Sequence, residues 1–131
     1  MPAADTPFAY AILRAVPSVE RGERFNVGVV LFCRQCDFLD MRSEVDERRL
    51  AALAPSLDLA DVQASLDAIR AVVCGEPGGG ALAQLPASER FGWVVAPSST
   101  VIQPSKVHTG LTQDPGATLA RLFGALVRAP T

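Results

Sequence analysis

Apolar and polar residues alternate along "FAYAILRAV", residues 8 to 16. Phe8, Tyr10, Ile12, Arg14 and Val16 fall on one side of an extended chain, and Ala9, Ala11, Leu13 and Ala15 on the other. That period of two marks a strand. Pro17 should end it, because proline offers no ladder donor. Residues 17 to 23 read as a turn with Gly22 as its flexible point, and residues 24 to 33 as a second strand. So short a connection implies an antiparallel hairpin. In strict alternation Phe25, Val27, Val29 and Leu31 share one face of the second strand, and Asn26, Gly28, Val30 and Phe32 the other. Both faces are apolar toward its C-terminal end, which predicts a central strand covered on both sides there. Gly28 has no side chain to pack, so it marks either a bulge or a close approach to the backbone. Asn26 adds a donor and an acceptor beside that gap.

"RQCD" reads as a turn and "FLDMR" as a short third strand. Residues 46 to 54 form a short helix that Pro55 stops. Residues 59 to 73 carry Leu59, Val62, Leu66, Ile69 and Val73 at helical spacing, with Asp58 as N-cap and Gly75 as end signal. "GEPGGG" is a flexible loop. It is no phosphate loop, since no Gly-Lys-Ser/Thr follows. "ASERFGWVVAP" holds a short helical turn and then an extended piece, "STVIQP" a strand closed by Pro104, and "SKVHTGLTQDP" a polar segment. Asp114 caps a last helix with Pro115 at its first position and a stripe of Leu119, Leu122, Phe123, Leu126 and Val127. The expected fold is α+β. An antiparallel sheet nucleated by the N-terminal hairpin 8–33, and joined by residues 100–103, carries two or three helices packed mainly on one face, with 59–73 and 114–128 together there.

Composition narrows the function. With 131 residues, 49% hydrophobic and 20% charged, the chain is expected to be one domain spanning 1–131 with a real core. A mean hydropathy of +0.23 suggests apolar surface kept for a partner. The formal charge of −2 and 6% aromatic content give no basic stripe and few stacking rings, so no nucleic acid is expected. The longest apolar run, "VGVVLFC", is too short to span a bilayer, and "MPAADTPFAY" lacks the pattern of a signal peptide. The expected location is cytoplasmic, without membrane contact, and the three cysteines are expected to be reduced thiols.

The "CRQC" pair, Cys33 and Cys36, could chelate zinc with Cys74 and His108. Structural zinc sites usually show two such pairs, so neither metal nor cofactor is expected. His108 is the single histidine. It sits beside Lys106, Thr109 and Thr112 and reads either as a structural ring or as a base or phosphate ligand. Arg21 and Arg24 alternate with Glu20 and Glu23, which fits a solvated cluster or an arginine pair for an anion. No serine elbow, zinc-protease helix or dinucleotide fingerprint is present, so a non-catalytic role is favoured.

Two segments carry a resemblance. "YAILRAVPSVERGERFNVGVVLF", residues 10 to 32, resembles the opening signature of a bacterial family, domain of unknown function 3037. "FGWVVAPSSTVIQPSKVHTGLTQDPGATLARLF", residues 91 to 123, resembles its closing signature. The resemblance puts the family's polar signature on Arg14, Arg21, Gly22, Glu23, Asn26, Gly28, Gln103, His108, Thr109, Gly110 and Thr112. It also places Cys33 and Cys36 in a turn of variable polar residues. It implies an accessory module acting with a HipA-like kinase. Two readings follow. One is a non-catalytic protein-binding module. The other is a small enzyme or anionic-ligand-binding domain with a pocket formed by the 20–28 and 103–112 segments, in which Arg21, Glu23, Asn26 and His108 converge.

Overall fold

A computed structural model describes residues 5–18, 23–97 and 100–128. The predicted turn at 19–22 lies outside them. The long strands β1 (Thr6–Ser18) and β2 (Glu23–Cys33) form the expected antiparallel hairpin. β1 runs on through Pro17 to Ser18, past the predicted stop. A single turn of 3₁₀-helix at Arg34–Cys36 leads into β3 (Phe38–Ser43), with Asp37 in the left-handed region at φ 50°. Helices α1 (Glu47–Leu53) and α2 (Leu59–Val73) follow, then 3₁₀ turns over Pro77–Gln84, which take in most of the loop expected at 75–80, and α3 (Ala87–Val94). Short strands β4 (Ile102–Pro104) and β5 (His108–Thr112) precede α4 (Pro115–Leu126).

Local signals explain most of these boundaries. Asp46, Asp58 and Asp114 each accept backbone N–H bonds at the starts of α1, α2 and α4, supplying the acceptors that the unpaired N–H groups of a helix start require. The guanidinium of Arg90, on α3, closes the end of α2. Its Nη1 donates to Val73 O at 2.6 Å and its Nε to Leu85 O at 2.9 Å.

The sheet order is β3-β2-β1-β4, and β5 also pairs with β1. β1 is therefore bonded on both sides. β4 lies against Leu13–Ala15 and β5 against Thr6–Tyr10, end to end along one edge. Ser105 joins the two short strands. Its N–H donates to Ile12 O and its Oγ accepts from Ile12 N, each at 2.8 Å. At the other edge, Asp40 Oδ1 accepts from Met41 N at 2.8 Å and Arg70 reaches Met41 O and Ser43 Oγ. Those bonds occupy groups that an open edge would offer to another strand.

Side chains do not alternate evenly along β2. Leu13 pairs with Gly28 but Arg14 with Asn26, so Val27 is an extra residue, a β-bulge. The bulge shifts the alternation by one position. Phe25 and Val27 join Val30 and Phe32 on one face, packed with Val62, Leu66, Phe91 and Val94 of α2 and α3. Val29, Leu31 and Cys33 take the other face, under Leu119, Leu122 and Phe123 of α4. Gly28 is confined by packing, since an added Cβ would lie 3.0 Å from Arg42 O and 3.4 Å from Leu13 Cδ1. Three helices, α1 to α3, share one face. α4, expected beside α2, takes the opposite one, because Val29, Leu31 and Cys33 give that face its own apolar surface.

Leu66 is 1% exposed in the middle of the α2 stripe. Leu66→Ala is expected to destabilise the fold by about 2–5 kcal/mol in urea unfolding. A loss below about 0.5 kcal/mol, the level of surface substitutions, contradicts this packing.

Candidate functional site

The bulge at Val27 decides where the predicted site residues point. In the antiparallel pairings Asn26 lies opposite Arg14 across β2–β1, and Gln103 lies opposite Arg14 across β1–β4. Directly opposed residues share a face. Asn26, Arg14 and Gln103 thus form one row across three strands, on the face that carries α4. Arg24, two residues before Asn26, points to the same side.

α4 packs on β2 and β3 and covers only part of this face. Tyr10, Ile12, Arg14 and Val16 of β1 are half-buried. Asn26 ties the row to the helix. Its Nδ2 donates to Leu126 O at 2.9 Å, satisfying one of the terminal carbonyls that a helix leaves open. Gln103 Nε2 donates to Thr100 O at 3.2 Å. Arg14 differs, because its Nε is buried with no hydrogen-bond partner among the described residues. Burial first, and the neighbouring charge of Arg24 second, push the Arg14 guanidinium below its ordinary pKa.

The other predicted residues lie elsewhere. His108 pairs with Tyr10, and the two rings stack at 5.2 Å. Arg14 is four positions further along β1, about 13 Å at strand rise. β1 also separates His108 from Asn26, so among the described residues these two members of the expected pocket do not converge. Gly28 turns to the α2–α3 face, away from Asn26, because of the bulge. Gly110 admits Phe8, whose ring would lie 2.8 Å from an added Cβ. Thr112 Oγ1 bonds Thr118 Oγ1 at 2.6 Å and accepts from Asp114 N at 3.0 Å, so it fixes the start of α4. Thr109 is exposed opposite Ala9, on the face away from α4. Arg21 and the side chain of Glu23 lie outside the described residues. The sequence left Arg24 open, with Arg21, as part of a solvated cluster or of an arginine pair for an anion, and Arg24 was not among the expected site residues. The signal was its even spacing from Asn26, two residues away.

The cysteines do not assemble with His108. Among the described residues no three His, Cys, Asp or Glu side chains are grouped to hold a metal. Cys33 is buried, donates to Pro7 O at 3.4 Å, and has its thiol pKa pushed up by burial and by the Cys36 thiol. Cys74 lies at the end of α2, 3.9 Å from Asp40 Oδ1. No helix among the described residues is long and apolar enough to cross a membrane.

Fold and site together define a small α+β fold, built on an antiparallel sheet that begins with a strand hairpin and leaves a polar row on one face. The model of a protein family of unknown function, DUF3037, matches residues 10–127, and the chain belongs to that family. No curated protein and no solved structure matches it.

Asn26→Ala leaves Leu126 O without its donor and is expected to cost about 1–3 kcal/mol of stability. A double-mutant cycle with His108→Ala is expected to be additive within about 0.5 kcal/mol. A larger coupling would place the two side chains in one network. Metal analysis of the purified protein is expected to find no stoichiometric zinc. One zinc per chain, lost on Cys33→Ser with Cys36→Ser, would reverse that reading.

Proposed function

We propose that this chain is a non-catalytic module that binds a protein partner through the face formed by α2, α3 and β4. The observation that carries the reading is an apolar groove of about 350 Å³ lined by Leu13, Ile69, Trp93, Val94, Ile102 and Pro104. Trp93 is 43% exposed at this groove. A groove with apolar walls suits an apolar side chain from another molecule. Tryptophan supplies more binding energy per residue at interfaces than most side chains. Among the described residues, none of the predicted polar site residues lines this groove. That arrangement supports recognition over catalysis, as does His108 resting on the ring of Tyr10.

The occupant in this reading is a short apolar segment of a protein. The partner in this reading is a HipA-like kinase, the class that the resemblance of the sequence implies. The test is direct titration of the purified chain against the HipA-like kinase of the same organism, with Trp93→Ala alongside. Truncating an interface anchor of this kind typically costs 2 kcal/mol or more, so binding is expected to weaken about 30-fold. Equal binding by the variant would remove the groove from the interaction. No binding by the unaltered chain would remove the kinase as its partner.

A further inference from the structure

Among the described residues, the polar row on the opposite face carries an unbalanced charge. Arg14 and Arg24 point to one side of the sheet, and their charges are close enough to oppose each other. Neither forms an ion pair among the described residues. Buried polar atoms in folded proteins are almost always hydrogen-bonded, and an exception calls for a water, an ion or a functional role to explain it. The buried Nε of Arg14 is such an exception. No group among the described residues resolves it. The carbonyl end of α4 approaches the row, but Leu126 O already accepts from Asn26. A helix C-terminus supplies about half a negative charge, against two full positive ones.

We propose that Arg14 and Arg24, flanked by Asn26 and Gln103, bind one phosphate monoester dianion on the strip of sheet beside the end of α4. Charge selects the ligand class. A phosphate monoester carries about −1.5 to −2 at neutral pH, which matches two guanidinium groups, whereas a carboxylate matches one. Geometry agrees. The edge of a guanidinium presents parallel N–H donors that grip two oxygens of an oxyanion at once. Asn26 Nδ2 uses one N–H on Leu126 O, and Gln103 Nε2 uses one on Thr100 O. Each amide nitrogen carries two, so one N–H on each remains for a ligand. The site lies across the sheet from the Trp93 groove, so neither proposal depends on the other.

The experiment is titration of the full chain with inorganic phosphate at constant ionic strength, followed by the ¹⁵N–¹H signal of Arg14 Nε and by calorimetry. The expected result is saturable binding that shifts this signal, with acetate binding at least tenfold more weakly. Arg14→Gln should weaken phosphate binding at least tenfold, and Arg14→Lys, which keeps the charge but loses the paired donors, should fail to restore it. The signal of the unaltered protein decides the matter even if a variant folds poorly. O-phosphoserine and a phosphoserine peptide then distinguish the sources. Equal affinity indicates a small phosphorylated molecule, and tighter peptide binding indicates a phosphorylated protein segment. Both uphold the site. Absence of saturation, no movement of the Arg14 Nε signal, equal binding of acetate, or an unchanged affinity in Arg14→Gln would each mean an adventitious ion only and overturn it.

Discussion

One extra residue in β2 governs both sides of this molecule. With Val27 bulged, the strand supplies Phe25, Val27, Val30 and Phe32 to the α2–α3 core and Val29, Leu31 and Cys33 to the α4 core. A regular strand would put Val27 with Val29 and turn Asn26 toward Phe32 and Phe91. The Asn26–Leu126 bond that anchors the end of α4 would then be lost. So would the row in which Asn26 and Gln103 flank Arg14. Gly28, next to the bulge, keeps β3 close, because a side chain there would press on Arg42 O. Bulges often re-aim a side chain near a functional site, and here the re-aimed side chain is Asn26.

The central strand makes this arrangement rigid. β1 is bonded on both edges, and Ser105 carries its pairing across the break between β4 and β5 with side chain and backbone together. Arg14 is therefore held from both sides by strands. Its side chain lies where α4 no longer covers the sheet, and the consequence is a half-buried cation whose Nε has no acceptor among the described residues. The two faces thus offer different chemistry, an apolar groove with an exposed indole on one and paired guanidinium groups on the other.

Much of this fold was legible in the sequence, and for local reasons. The hairpin followed from alternation and short loop length. α2 and α4 followed from helical spacing with an Asp cap, and their boundaries fell within two residues of those expected. β5 was missed because its pattern is inverted. Val107 and Leu111 are exposed while His108 and Thr112 turn inward, so the segment read as polar and irregular. The placement of α4 was missed because two apolar faces on β2 do not say which helix takes which. For the candidate site, Arg14, Asn26 and Gln103 were among the residues that the sequence put forward, and the strand pairings line them up in one row. The alignment of Asn26 with Arg14 depends on a bulge that the sequence offered only as one of two meanings of Gly28, and the separation of His108 follows from its pairing with Tyr10 at the far end of β1.

The central claim is the register across the bulge, and cross-strand nuclear Overhauser effects measure it most directly. The structure predicts contacts that pair Arg14 with Asn26 and with Gln103, together with a contact from the Asn26 side-chain amide to Leu126. A regular ladder that pairs Arg14 with Val27, with the Asn26 amide near Phe91, would contradict the account and dissolve the polar row.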